Sequence, residues 1–298
     1  MLRKLGGEKS VHSQRSSDPQ HLSPAAAITR RHDRDRFQTA LFAPAARREA
    51  LFALYAFNYE IARVREAVTQ PMLGRIRLEW WRENIAAAFA NGAVRPHPVV
   101  EALTVAIRER GLTRVYFDRL INAREADFDE DPPASLAALE AYAEGTSSQL
   151  IYLALEALGV SDPAAREAGH HIGIAYALAG LLRALPVLTA SGRPVIPPDV
   201  AVRAGLDLGD YRGLRSSNAL RAAVAEIAAA AEAHLQTARE RRGAVTHAAL
   251  PALLPAVVAE QSLKRLKRAG HNPFDPALVR PDPLQSWRLA AAALRRRF

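Results

Sequence analysis

The sequence predicts an all-α fold in a single domain, and three observations carry that prediction. Ala, Leu and Arg dominate the chain, and all three favour helix when summed over long windows. Apolar residues recur at intervals of three and four, whereas the two-residue alternation of a half-buried strand is hard to find. The chain has 298 residues and 49% hydrophobic content, enough to bury a large core. No internal repeat and no linker divides it beyond residue 30, so residues 30–298 are predicted to form one helical domain.

Residues 1–29 are polar, Ser-rich and without periodicity, and are predicted to be disordered. Their Arg- and Ser-rich character suits an organelle transit peptide, but Glu8 and Asp18 weigh against one. Helices are then expected over Arg36–Leu41 and from Pro44 through Val68. Pro71 opens the next, with Leu73, Ile76, Trp80, Ile85 and Phe89 as its apolar stripe and Asn91-Gly92 as its stop. "HPVVEALTVAIRERG" ends at Gly111, and Thr113 caps a helix carrying Phe117, Leu120, Ile121 and Phe128 up to the "DPP" break. Ser135 caps a helix that closes at Gly159. Asp162 and Pro163 then start a long, nearly all-apolar helix expected at the centre of the molecule. "RPVIPPDV" reads as extended, and amphipathic helices follow over 218–242 and 249–269. The tail "SWRLAAAALRRRF" resembles a surface-seeking amphipathic helix, with Trp287 and Leu289 among arginines.

Composition also excludes function classes. Cysteine is absent, which removes disulfides, thiolate zinc sites and cysteine nucleophiles and points to a reducing compartment. No apolar run is read as reaching the roughly 18 residues of a bilayer span, and no secretory signal is visible, so a soluble or peripheral protein is expected. The net charge of +9 invites a nucleic-acid reading. The basic residues are spread along every segment among acids and no nucleic-acid module is visible, so an anionic membrane surface accounts for the charge better.

Several motifs fail on inspection. "DFDEDPPAS" sets Asp127, Asp129 and Asp131 at alternate positions of a calcium loop, but Pro132 occupies the turn glycine's place and Ala138 that of the bidentate glutamate. Asp127 remains of interest because it falls inside the helix. His170 and His171 are adjacent and point about 100° apart on a helix, so they do not share a metal in the usual manner. Trp80 and Trp81 read as packing, and Ser147 and Ser148 lack a nearby base.

The ordered segments "ALFAPAARREALFALYAFN", "HPVVEAL", "GIAYALAGLLRALPVLTASGRPVIPPDV" and "PALLPAVVAEQSLKRLKRAGHNPFD" resemble the squalene and phytoene synthase family over residues 33 to 276. The resemblance implies the isoprenoid (terpenoid) synthase fold, with helices around a central cavity holding two prenyl diphosphates, which family enzymes join head to head. It also implies two aspartate-rich motifs that hold Mg2+ against the diphosphates, a task that needs hard oxygen ligands and charge neutralisation of the leaving group. Matched to the first motif, the paired aspartates fall on Ala62 and Glu66, and a neighbouring aspartate falls on Arg63. Matched to the second, both aspartates fall on Ala184 and Leu188. Arg183, "SGRPVIP" and Asp127 persist at matching positions.

"FALYAFNYEIARVRE", "LEWWREN" and "INAREADFDEDPPASLAALEAYAEGTSSQL" are similar to a metal-motif-poor branch of the family that includes the mitochondrial complex I assembly factor and alphaproteobacterial relatives. The resemblance implies a non-catalytic protein of respiratory complex I assembly or maintenance. It would lie on the cytoplasmic side of the inner membrane, or the matrix side in a eukaryote, without a cofactor and without nucleic acid. Its partners would be complex I subunits or assembly intermediates, an anionic membrane surface and an isoprenoid lipid. The alternative is an active prenyl diphosphate transferase with altered Mg2+ use, in which Glu66, Asp127 and Arg183 carry catalysis. The expected ligand-binding set is Tyr55, Asn58, Tyr59, Glu60, Arg63, Glu66, Asp127, Tyr176 and Arg183. Within it Glu60, Arg63 and Glu66, together with Arg65, either pair across the former active site or meet an anionic headgroup, arginine replacing magnesium.

Overall fold

The computed structural model describes residues 22–207, 213 and 215–298, and among them every regular element is helical. The all-α prediction therefore holds. The predicted disordered segment lies outside the described residues over 1–21, but its end is ordered. Helix α1 (Pro24–His32) starts at Ser23, whose hydroxyl accepts from the Ala26 amide. Ala25, Ala26 and Thr29 are buried, and the Thr29 hydroxyl donates to the Phe52 carbonyl on the next long helix. Small residues dock here without periodicity, which is why composition alone misread the segment.

Helix α2 (Arg34–Ala40) is capped by Asp33, and α3 (Ala45–Ala62) follows, buried on nearly every face from Ala50 to Asn58. The predicted run to Val68 stops at Ala62. Beyond it the amides of Val64 and Glu66 bond three residues back, to Ile61 and Arg63, so the chain tightens into a turn. Of the charges in "YEIARVRE", Glu60 thus falls in the last turn of α3 and Arg63, Arg65 and Glu66 in the turn beyond it.

Helix α4 (Pro71–Phe89) has the predicted limits, but of the predicted stripe only Ile85 is buried. Its buried stripe is Gly74, Leu78, Trp81, Ile85 and Ala88, while Leu73 and Ile76 are 46% and 58% exposed. Both stripes are apolar at helical spacing, and the edge of Phe128 lies where a Gly74 side chain would stand, which selects the glycine side for close approach. Helices α5 (Pro98–Arg110) and α6 (Arg114–Ala123) follow, then a 3-10 turn over Arg124–Phe128. The predicted helix from Ser135 to Gly159 is α7 (Leu136–Ala143) and α8 (Gln149–Leu158), joined by one π turn, Glu144–Ser148. Gly173 lies against this turn so closely that an added Cβ would fall 2.4 Å from the Ser148 Cα.

Helix α9 (Pro163–Ala190) is the central element and packs on α7, α8, α11 (Asn218–Glu240) and α13 (Pro255–Arg268). It corrects the membrane reading, because it is long and apolar enough to cross a bilayer by composition. Half of its most apolar window is buried within the fold. Residues 193–197 lie outside any helix, with Pro197 in the expected extended conformation, but Pro198 begins α10 (Pro198–Ala204). The predicted helix over 249–269 is broken before Pro255, leaving α12 (Leu250–Leu253) and α13. The chain ends with α14 (Pro276–Val279) and α15 (Gln285–Leu294).

Where α9 meets α11, His171 Nδ1 lies 2.8 Å from His234 Nδ1, with Glu140 3.6 Å from His234 Nε2. Burial, then the neighbouring His170 and His234, pushes His171 down to about 4, Glu167 opposing and Arg241 assisting. His234 is also lowered, by burial first, against the pull of Glu140. Their folded values lie below the ordinary 6.5, so the unfolded chain binds more protons in this range and stability falls with acid. The unfolding midpoint is expected to drop as pH falls from about 6.5 towards 4, and His171→Gln to flatten that slope in thermal melts at several pH values.

Candidate functional site

The side chains singled out by sequence separate into four places. In the interior between α2, α3 and α9, Arg36 is buried, with its Nη1 2.9 Å from the Asp33 carboxylate. Its guanidinium stands 4.5 Å from the Tyr176 ring centroid and 6.0 Å from that of Tyr55. Burial works against the Arg36 charge, but Asp33 and Tyr176 more than offset it and hold its pKa above the ordinary value. Burial raises both tyrosines well above theirs. Tyr55 and Tyr176 therefore hold an arginine in place at the heart of the fold. Asn58, one turn beyond Tyr55, is buried with an Oδ1 that has no hydrogen-bond partner.

The second place is the surface end of α3. Tyr59 stacks on His32 at 4.2 Å between centroids, and Arg63 lies 5.4 Å from the Tyr59 ring and 3.8 Å from Glu60. Glu66 is exposed, and no hydrogen bond or ion pair of its side chain is found among the described residues. The exposed Arg63–Glu60 pair contributes little, at most about 1 kcal/mol. The expected network of four charges across a pocket is therefore one local pair beside a ring.

The third and fourth places flank the C-terminal half of α9. On one side a cavity of about 300 Å³ lies between α2, α9, α13 and the segment leading into α15. Arg183 opens into it, its Nη1 3.2 Å from the Asp35 carboxylate. Asp35 also accepts from Gln285 Nε2 at 2.8 Å, which ties α15 to α2. Asp35 and Tyr176 raise the Arg183 pKa although burial opposes its charge.

Leu181, two residues before Arg183 and so on the other face of the helix, lines a cavity of about 570 Å³. Tyr142 and Arg193 share its wall with the 126–134 loop. Here Asp127 is 3% exposed and accepts from the Tyr142 hydroxyl at 2.6 Å, from Arg193, and from Arg124 at 3.5 Å. Arg124 and Arg193 also both donate to the Tyr142 oxygen, at 3.0 and 3.1 Å. Asp127 is thus the closed centre of an ionic network, with its lone pairs already taken. Sequence reasoning missed Asp33, Asp35, Arg36 and Tyr142 as site residues, and singled out Arg193 only as part of "SGRPVIP". The only local signal was the Asp33-Arg36 spacing, since Asp127 and Arg193 stand 66 residues apart.

The structure does not bring Glu66, Asp127 and Arg183 together: Glu66 is in the surface turn, Arg183 lines the first cavity, and Asp127 is buried against Tyr142 and Arg193 of the second. No three His, Asp or Glu side chains among the described residues gather as metal ligands. Of the positions expected to hold carboxylates, Ala62 closes α3 and Ala184 and Leu188 sit on α9.

The helical frame is shared with known proteins. The crystal structure of squalene synthase HpnC from Alicyclobacillus acidocaldarius superposes with a TM-score of 0.75 at 24% identity, covering 84% of this chain and 94% of that one. In sequence, a complex I assembly factor 6 of Rattus norvegicus is 34% identical over 269 residues, 88% of this chain and 80% of the relative. A presqualene diphosphate synthase of Rhodopseudomonas palustris is 29% identical over 197 residues, 65% and 69% of the two chains. The squalene/phytoene synthase family model matches residues 29–292, from the end of α1 into α15. Since that match spans nearly all of the helical frame, this chain belongs to the squalene/phytoene synthase family.

Proposed function

We propose that this chain is a non-catalytic family member that acts in assembly or maintenance of respiratory complex I on an anionic membrane surface. The observation that supports it most is the donor set. Mg2+ requires several hard oxygens in a near-octahedral shell and retains water elsewhere. The expected positions supply two methyl groups, an isobutyl group and one exposed carboxylate, at Ala62, Ala184, Leu188 and Glu66. These residues do not fit a Mg2+ cluster, so no step through one is derived. Arginine–aspartate pairs are present instead: Arg36 with Asp33 in the interior, and Arg183 with Asp35 at a cavity. The similarity to complex I assembly factor 6 supports the complex I part of the reading. Complex I subunits or assembly intermediates are the partners proposed, with an isoprenoid or anionic lipid as ligand. The place is the cytoplasmic side of the inner membrane, or the matrix side in a eukaryote.

The membrane part rests on α15. Leu284, Trp287 and Leu294 are exposed at spacings of three and seven and so share one face, while Leu289 is buried on the other. Arg295, Arg296 and Arg297 follow at its end, with no ion pair to an acid among the described residues. An amphipathic helix with a basic end suits an anionic lipid surface. Truncation after Pro283 is expected to reduce binding to phosphatidylglycerol vesicles in low salt, with the difference shrinking as salt rises. Equal co-sedimentation of both forms at all salt concentrations would remove the membrane part.

Deleting the gene is expected to lower assembled complex I on native gels and NADH oxidation by membranes while isoprenoid products stay unchanged. Purified protein incubated with farnesyl or geranylgeranyl diphosphate is expected to release no pyrophosphate with or without Mg2+. The similarity to a presqualene diphosphate synthase makes this the decisive arm. Mg2+-dependent turnover abolished by Glu66→Ala would establish a prenyl transferase instead.

A further inference from the structure

We infer that the cavity between α2, α9, α13 and the α14–α15 segment is a headgroup site for an anionic phospholipid, entered from the bilayer surface on which α15 lies. The inference rests on the membrane reading and adds a ligand site to it.

Charge inside the cavity is the first argument. Its lining carries Arg34, Arg183, Arg265 and Arg280 against Asp35 and Asp282. Both acids are engaged, Asp35 by Arg183 and Gln285 and Asp282 by Arg288. Arg265 donates through one nitrogen to the carbonyls of Ala277 and Arg280. Arg34 and Arg280 are exposed, and neither side chain has an ion pair among the described residues. Two uncompensated guanidiniums on the lining of one space offer counter-charge to a phosphate, which each arginine can bind with two parallel bonds.

Shape and position supply the rest. Ala179, Val258, Leu263, Leu266 and Leu278 give the same cavity an apolar lining, so a ligand with both a phosphate and a hydrocarbon part satisfies more of it than a free anion does. About 300 Å³ is the lower end of the roughly 300–1,000 Å³ of small-molecule sites. It admits a glycerophosphate head and leaves two acyl chains outside. The wall from Leu278 to Ser286 runs directly into α15, so the exposed Leu284 and Trp287 are chain neighbours of the lining residues Pro283, Gln285 and Ser286. With α15 in the interface, the excluded chains remain in the bilayer while the phosphate reaches Arg34 and Arg280. Gln285, bonded to Asp35 and Gln38, and Gln38, bonded to Ser286, hold the wall in place.

The test uses the full chain, the double variants Arg34→Gln with Arg280→Gln and Trp287→Ser with Leu294→Ser, and calorimetric titration with dihexanoyl-phosphatidylglycerol below its micelle concentration. The soluble lipid is expected to bind the natural chain and the Trp287/Leu294 variant equally, and the Arg34/Arg280 variant at least tenfold more weakly. Phosphatidylglycerol vesicles should bind the natural chain and lose the Trp287/Leu294 variant. All four positions are exposed, so unchanged melting curves verify that each variant is folded. Unchanged affinity in the Arg34/Arg280 variant would overturn the site. Inorganic phosphate displacing the lipid at equal concentration would overturn the phospholipid as its ligand. Vesicle binding without soluble-lipid binding would overturn the headgroup site and leave the membrane reading standing, whereas absence of vesicle binding would end both.

Discussion

Replacing Asp127 by alanine is expected to destabilise the chain by about 3–5 kcal/mol, the cost of removing one partner from a buried ionic cluster. The carboxylate joins Arg124, Arg193 and Tyr142 from three segments: the 3-10 turn, the loop after α9, and α7. Without it two guanidiniums face each other with only a tyrosine oxygen between them, and Arg124 already has a buried Nε with no acceptor. Asp127→Asn keeps the shape and one acceptor but not the charge, so it should recover only part of the loss. Urea unfolding measures both. A second readout is specific to the network. Tyr142 is pushed up by burial first, drawn down by Arg124 and Arg193, and pushed up by Asp127. Loss of the carboxylate is therefore expected to lower the Tyr142 pKa, visible as phenolate absorbance at lower pH in the folded variant. An Asp127→Ala protein with natural stability and an unmoved tyrosine titration would show that the cluster contributes nothing.

Arg36→Ala should cost a similar amount, about 3–5 kcal/mol, for a related reason. It strips the counter-charge from Asp33 and leaves a hole between the Tyr55 and Tyr176 rings. Asp33 also accepts the Arg36 amide at 3.1 Å and caps α2, so the acid is needed locally even without its ion pair. The compensating variant is Asp33→Asn with Arg36→Met. Asparagine retains the cap and methionine fills the space between rings with a flexible apolar chain. Since well-packed apolar groups often replace a buried ion pair without loss, the double variant is expected to regain most of the stability. If it proves no better than Arg36→Ala, the arginine is held for its shape and hydrogen bonds rather than as half of a charge pair.

Several helix ends with local terminating chemistry were legible in the sequence, although Thr113 makes no side-chain cap at the start of α6. Ser135 and Asp162 each cap the helix they precede, and Gly111 and Gly159 adopt the left-handed conformation at helix ends, because a side chain two or three residues away satisfies an end amide and glycine alone turns left without strain. The family resemblance extended that reading to the frame, and the missing carboxylates at Ala62, Ala184 and Leu188 were visible at once.

Partners were another matter. Helical spacing on α4 put Leu73 and Ile76 in the inner stripe, but packing against Phe128 turned the side containing Gly74 inward. The charged run after α3 looked like a pocket and lies in a surface turn, because where a helix ends depends on the residues that follow it and on what covers them. Asp127 was singled out as a candidate ligand, yet its lone pairs are filled by residues 15 and 66 positions away.

By itself the sequence determined that the chain is helical and where many of its helices begin and end, and the family resemblance showed that three of the four matched metal-binding positions, Ala62, Ala184 and Leu188, carry no carboxylate. Only the tertiary structure decided which face of α4 is inside, which arginines are already paired, and that Arg34 and Arg280 come to one cavity. Caps and periodicity act within a turn or two of the chain, whereas burial and charge pairing depend on distances in space that a linear order of residues does not contain.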